Sequence, residues 1–479
     1  MEEENILARR ERRLRKRHVA LGALLLLLLV LVIVWTQRTE LATDVIRRDL
    51  ERRGVRASYD VTRVGFRTQR LANVVIGDPA RPDLTARFVE VKLPLVSVMS
   101  PDVQFITARG VRIFGRVVDG KLRLGDVDKL LPPPTGKPFA LPDLHVDVSD
   151  VSLALVTPAG NVGAAIEGRG NLANGFLGKV AARSNAMRLG RCTAREPRAY
   201  VDLRILDRRP RIAGPLQAAQ FSCGEGLNLL EPHFAVRAAF PETLGKWQGD
   251  GRFRAAMVES GINSLAGANG TLSFDGDPKI TRGRLSLASA AVAVAQFRGS
   301  RMNLDGRYAF SMDSGELSLV GDGGAQGIVP SGEALGPVVD ALASAGGTPL
   351  APIGDALAAA VRRAGQGFDA QAVVRVVNGP GGGALRFETM NAVSRSGARL
   401  AVAGGDGLTY YWPLNRVRMD GDFALAGGGF PAARVSLSQP RGGAPMRGEA
   451  RIAPMAAGGA RLVLAPVRFA AAPGGGTSI

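Results

Sequence analysis

The chain has 479 residues, 46% apolar and 22% charged, which excludes wholesale disorder and leaves room for a large core or one long repetitive structure. Glycine (61) and proline (28) are abundant and aromatics make up only 5%, a balance that disfavours a helical bundle and suits many short strands joined by turns. The net charge is +18, with 53 arginines to 8 lysines; a GC-rich genome produces that skew, and so does attraction to nucleic acid or anionic lipid.

Residues 19–35 form an unbroken apolar or small run of 17 residues, from Val19 through Leu24 and Leu29 to Trp35. As a helix it spans about 26 Å, enough for a thin bilayer. On its N-terminal side stand Arg9, Arg10, Arg12, Arg13, Arg15, Lys16 and Arg17. The positive-inside rule keeps this basic tail, residues 1–18, in the cytoplasm and carries the rest across the membrane. A cleaved leader is the alternative, but Trp35-Thr36-Gln37-Arg38 offers no small-x-small cleavage site, so the expectation is an uncleaved single-pass anchor. The translocated part lies in a compartment without chromosomal DNA, so lipid or envelope polyanions replace nucleic acid as the expected partner.

Residues 36–54 read as a helical stalk, with Leu41, Val45, Ile46 and Leu50 on one face and Gly54 at its C-terminal cap. From residue 55 to 331 the periodicity drops to two. Leu144, Val146 and Val148 alternate with polar residues, as do Val151, Leu153 and Leu155, followed after a turn by Val162, Ala164 and Ile166. The same texture recurs at Leu285, Leu287, Val292 and Val294, and in residues 367–479 at Leu400, Val402, Leu408 and Tyr410. Seven Asp-Gly pairs, at Asp119, Asp250, Asp275, Asp305, Asp322, Asp406 and Asp420, are expected at type I′ hairpin turns. Three carry a longer echo that ends on an aromatic residue, at Phe253, Tyr308 and Phe423, which suggests a degenerate β repeat. Between the two β segments, residues 332–366 hold two helical stretches around 346–352, fit to plug a sheet or to serve as a packed connection.

Cys192 and Cys223 fall on the translocated side, where disulfides persist, and an even count favours pairing over two buried thiols. His18, His145 and His233 are too scattered to make a metal site, so no metal or cofactor is expected. There is no nucleophile elbow and no phosphate loop. The carboxylate pairs Asp119 with Asp126 and Asp143 with Asp147 read as solvated turn acids, so catalysis is not expected.

Half-apolar strands must hide their oily face, by closing into a sandwich or barrel or by curling into an open trough whose floor acyl chains cover. Some thirty strands at 4.8 Å give a trough about 140 Å long. Which alternate set faces inward is open, because a one-residue slip exchanges the faces. The fold class expected is mainly β with an N-terminal transmembrane helix: an elongated, open, twisted sheet groove with a small helical insertion.

The stretches 115–122 (GRVVDGKL), 130–134 (LLPPP), 138–142 (PFALP) and 155–160 (LVTPAG) resemble the AsmA-like superfamily. With 348–352 (TPLAP) and 411–413 (YWP), the chain is most similar to the N-terminal part of the YdbH family. The resemblance implies an inner-membrane-anchored protein of the Gram-negative envelope that moves phospholipids between inner and outer membranes along a repeating β-groove. It also implies a small outer-membrane lipoprotein as partner. YdbH-like chains usually run several hundred residues further, so the Gly-rich end at 474–479 suggests a truncated form. Two other readings stay open: an envelope biogenesis factor that assists outer-membrane protein assembly at a sheet edge, and a closed β-sandwich structural protein.

Overall fold

The computed structural model describes residues 48, 50–64, 68–92, 105–119, 121–130, 140–224, 226–343, 351–412, 414, 416–440, 445–457, 460–471 and 477–478. The expected anchor (Val19, Leu24, Leu29, Trp35), the basic residues Arg9, Arg10, Arg12, Arg13, Arg15, Lys16 and Arg17 and most of the stalk lie outside the described residues. Among the described residues, no helix is long and apolar enough to cross a membrane. The protein is mainly β, and its chain divides into two units, the first largely residues 1–137 with 142–156 and 165–176, the second largely 177–479.

In the first unit a helical turn closes at Gly54. Gly54 takes φ +64°, its N–H donates to the Glu51 carbonyl (2.9 Å), and the Val55 N–H donates to Leu50 (2.8 Å). This doubly bonded left-handed cap needs a residue without a Cβ. Strands β1 (Ala57–Val64), β2 (Thr68–Asp78), β3 (Arg81–Lys92) and β4 (Phe105–Val118) follow as an antiparallel meander, and β4 folds back on the short β5 (Lys121–Arg123). Strand β6 (His145–Thr157) then lies parallel to β4. Alternation puts Val74, Ile76, Ala86, Val111 and Val151 on one face, where they meet Val55 in a buried cluster.

A 3-10 turn at Gly125–Leu130 ties the helical cap to this sheet. Buried Asp126 accepts from Lys129 Nζ (2.7 Å) and from both the backbone and guanidinium of Arg56, while Lys129 also donates to the Gly54 carbonyl (2.6 Å). Asp126 is therefore a structural latch and not the solvated turn acid expected from sequence. The Lys129 hydrogen bond, joined by those from Arg56, holds its carboxyl below the usual range against the opposing effect of burial. Buried Glu90 is likewise kept low by Arg70 and Lys92, which outweigh the desolvation that pushes it up.

Strands β7 (Gly160–Asn171) and β8 (Phe176–Ser184) lead into the second unit. There β9 (Ala186–Leu189), β10 (Cys192–Arg195), β11 (Arg198–Leu206), β12 (Arg209–Gln217), β13 (Gln220–Cys223), β14 (Leu227–Leu230) and β15 (His233–Ala239) come in two tiers. The lower tier pairs β8 with β11, β11 with β12, β12 with β15 and β15 with β16 (Trp247–Ser260). The upper tier pairs β9 with β10, β10 with β13, β13 with β14 and β14 with the far end of β16. Breaks of one or two residues separate the tiers, and at two of them Glu196 (φ +47°) and Glu231 (φ +48°) turn left-handed to bend the strand.

A regular antiparallel meander continues through β17 (Asn263–Gly276), β18 (Ile280–Val294), β19 (Phe297–Ser311) and β20 (Leu317–Pro330). Helices α1 (Gly332–Ala343) and α2 (Ala351–Ala364) intervene before β21 (Phe368–Gly379), β22 (Gly382–Ser394), β23 (Arg399–Trp412), β24 (Arg416–Gly427), β25 (Phe430–Ser438) and β26 (Met446–Ile452). The small pieces β27 (Met455–Ala457), β28 (Ala460–Leu462), β29 (Val467–Ala471) and β30 (Thr477–Ser478) complete the chain. No described pairing joins the first strands of this unit to the last, so its sheet is open.

The Asp-Gly pairs are not turns, with one exception. Asp119 alone sits at a hairpin, between Val118 and Lys121. The pairs at Asp250, Asp305, Asp322, Asp406 and Asp420 lie inside long strands, and Asp275-Gly276 ends one. A two-residue turn with both central residues left-handed occurs instead at Asp207 (φ +50°) and Arg208 (φ +58°). The reason is facial: in the pairs at Asp250, Asp305, Asp322 and Asp420 the aspartate points to the charged side and the glycine to the apolar side, whereas Gly407 (φ +66°) follows a register shift in β23 and lies opposite Asp420. That period-two requirement imitates turn chemistry.

Candidate functional site

The second unit has one face that is apolar across successive strands. On β16, Trp247, Gly249, Gly251, Phe253 and Ala255 point one way and Gln248, Asp250, Arg252 and Arg254 the other. Strand register carries this set to Leu272 and Phe274 on β17, Leu285 and Leu287 on β18, and Leu304 and Tyr308 on β19. It continues to Leu319 on β20, Val374 and Val376 on β21, and Leu385 and Phe387 on β22. Leu304, Leu319 and Val374 form a buried cluster on this face, and Leu285, Leu287, Tyr308, Val376, Leu385 and Phe387 pack around it half-buried.

Glycines on this face sit opposite aromatic rings. The cross-strand pairs are Trp247 with Gly276, Phe274 with Gly249, Phe253 with Gly270, Tyr308 with Gly283, Trp412 with Gly383 and Phe469 with Gly448. The rings lie over the glycines: a Cβ at Gly270 would come within 2.9 Å of Phe253 Cζ, and one at Gly249 within 2.6 Å of Phe274 Cζ. Missing side chains let each ring lie down against the sheet, which covers backbone left bare by glycine.

The polar tips of three rings reach the strand beyond. Trp247 Nε1 donates to Thr281 Oγ1 (3.2 Å), Trp412 Nε1 to Asn378 Oδ1 (3.3 Å), and the Tyr308 hydroxyl to the Ser273 carbonyl (3.1 Å). Satisfying these groups locally leaves an apolar surface of flattened rings and short aliphatic chains. Burial raises the Tyr308 hydroxyl above its ordinary pKa, which keeps it neutral there.

The opposite face is ionic. Arg237 bridges Asp250 (2.7 Å), Arg375 bridges Glu388 (2.8 Å), and Asp406 takes both Arg386 (2.9 Å) and Arg418 (2.6 Å). These pairs account for the aspartates of three interior Asp-Gly units: Asp250, Asp406 and, facing Arg418 at 3.7 Å, Asp420.

The apolar residues singled out from sequence lie on strands of both units, except Leu144. Leu285 and Leu287 share the β18 face that carries Leu304, Val292 and Val294 follow on the same strand beyond two exposed alanines at 290 and 291, and Leu400 and Val402 share a β23 face. Val162 lies inward on β7, and Ile166 packs with Val148 and Val151 in the first unit's cluster. Val146, Leu153 and Leu155 share the β6 face across a kink at Asp150, and Leu144 immediately precedes that strand. Burial separates them into two groups. Val146, Val151, Val292 and Val402 are only 2–9% exposed and brace the sheet, whereas Leu153, Leu155, Val162, Leu285, Leu287 and Leu400 keep accessible surface.

Leu304, Leu319 and Val374, with the ring-bearing glycines, were not evident from sequence. The available signal was the Asp-Gly-x-aromatic echo: aspartate out, glycine in, third residue out, ring in. Cys192 and Cys223 are directly opposed on β10 and β13 and joined by a disulfide, with Cα atoms 4.0 Å apart. Asp143 accepts from Asn171 Nδ2 (2.7 Å). Among the described residues, no group of His, Cys, Asp or Glu is arranged to hold a metal ion.

No curated protein and no solved structure matches the chain. One family model does, that of the YdbH-like proteins, described as intermembrane phospholipid transport protein YdbH, and it spans residues 25–462. With nearly the whole chain matched, the protein belongs to the YdbH-like family.

Proposed function

We propose that this protein transports phospholipid between membranes, carrying the acyl chains along the apolar face of its sheet. The observation that carries the reading is the half-exposed face centred on Leu304, Leu319 and Val374, in a chain matched across nearly its whole length to a phospholipid transport family. Burial of an acyl chain there stabilises by about 0.8 kcal/mol per methylene, without any chemical step. The headgroup stays in water. In this reading residues 19–35 anchor the chain once in the inner membrane, the seven basic residues before them keep the N-terminus cytoplasmic, and the sheet lies in the periplasm. A small outer-membrane lipoprotein is the partner at the far membrane.

Photocrosslinking amino acids at the inward positions Leu287 and Leu304, and at the outward positions Ser286 and Asp305, test the path in cells. Mass analysis should find phospholipid adducts at the first two alone. Protein adducts or none at the inward positions would refute the reading. Topology is tested with Ile262→Cys, at a position 69% exposed, which a membrane-impermeant maleimide should label from the periplasm. Protection until the inner membrane is permeabilised would overturn the localisation.

A further inference from the structure

The upper tier of the second unit does more than extend the sheet. β14 pairs with β16 at residues 257–259, whereas Met312, Asn378 and Gly379 lie at the margin where β16 begins. Along a flat strand those two margins would stand about 36 Å apart. They touch. Asn378 Nδ2 donates to the Gly226 carbonyl (2.9 Å) across a separation of 152 residues. A Cβ at Gly226 would lie 3.3 Å from the Gly379 carbonyl oxygen, and one at Gly190 would lie 3.5 Å from that of Met312.

The direction of closure follows from Asn378. Its side chain shares the face of Val374 and Val376 and is 9% exposed, with Trp412 Nε1 fixing its carbonyl end so that the amide nitrogen points to Gly226. The flap made by β9, β10, β13 and β14 therefore folds toward the apolar face. Its two hairpin ends, at Gly190 and beside Gly224 and Gly226, are pinned together by the disulfide, since Cys192 closely follows the first and Cys223 immediately precedes Gly224.

We propose that this flap is a disulfide-held cover over the apolar face of the neighbouring strands. It retains acyl chains against sideways escape, so that lipid moves under it from strand to strand. The cover rests on the reading of that face as a lipid path.

The test uses the full chain loaded with a fluorescent phospholipid, with release followed into acceptor vesicles of phosphatidylethanolamine and phosphatidylglycerol. Asn378→Ala and the double variant Cys192→Ser/Cys223→Ser should both bind lipid and release it at least fivefold faster than the parent. Separately, Arg191→Cys with Met312→Cys, both exposed, should be joined in high yield by a short bis-maleimide, and Arg191→Cys with Arg468→Cys should not. The joined protein should release lipid no faster than the parent. Unchanged release in both opening variants, or equal crosslinking of the two pairs, would overturn the cover while leaving the lipid path intact. Failure of every variant to take up phospholipid would overturn the lipid path itself, and the cover with it.

Discussion

Glutamate in place of Leu287 tests whether the apolar face works as a continuous surface. Leu287 is half-buried on β18, opposite Leu304 and in the packed cluster, and its strand neighbour Ser286 points to the ionic side. A carboxylate at 287 keeps its water, because dehydrating an ion costs far more than apolar contact returns. An acyl chain crossing that strand then loses contact with at least two methylenes, about 1.6 kcal/mol at 0.8 kcal/mol each. If crossing β18 limits passage, transfer slows about fifteenfold. Leu287→Glu and the outward control Ser286→Glu are compared for rate of fluorescent phospholipid transfer between vesicles, with protease resistance confirming that both are folded. Equal transfer by two folded variants would refute the proposition that lipid travels on this face.

Gly270→Ala should lower stability by about 1–3 kcal/mol, because its Cβ would overlap the Ser286 carbonyl oxygen and press on Phe253. At Gly163 the same change meets nothing within 4 Å and should stay within about 0.5 kcal/mol, both read from urea midpoints. Removing the disulfide with Cys192→Ser/Cys223→Ser frees a loop with a sequence separation of 31 and should cost about 3–4 kcal/mol in the chain-entropy account, seen as a lower melting temperature that reductant no longer changes. For Asp126, whose folded carboxyl titrates below the ordinary 3.8, the unfolded chain binds the proton first on acidification. Its contribution is present above about pH 4 and is lost as pH falls through the folded value. Asp126→Asn should therefore flatten the acid limb of hydrogen-exchange protection in β1 and β2; an unchanged limb would exclude the latch.

Strand periodicity was readable because half-burial writes itself into every second residue: Leu285 and Leu287 announce their face without any long-range information. The two helices were readable from their alanine and leucine spacing between glycine and proline clusters. Turn chemistry misled, because Asp-Gly satisfies two different demands. At Asp119 it supplies a left-handed residue for a hairpin, whereas at Asp250 and Asp420 it supplies an ionic partner on one face and an absent side chain on the other. Only register separates the two, and register is set by neighbours far along the chain. The contact of Gly226 with Asn378 was beyond reach for the same reason. No local pattern encodes a meeting of two margins.

Glycine content and aromatic scarcity have a common cause in the second unit. A ring standing upright from a sheet would interrupt an apolar path, but a ring laid over a glycine fills the gap and rises little above its aliphatic neighbours. Trp247 and Trp412 show why the arrangement is stable: each indole crosses a glycine and donates its N–H to a buried polar side chain, Thr281 or Asn378, two strands away. The donor is satisfied beneath the surface, so no polar group has to be hydrated from the apolar side. Flexible acyl chains, which need contact but no fixed geometry, suit such a surface better than a rigid ligand, which would need convergent polar groups to orient it. Asn378 joins this surface to its cover, since one end of its amide receives the Trp412 indole and the other holds the Gly226 carbonyl. At the margin of the sheet, a ring laid over glycine and the contact with the flap therefore share one amide.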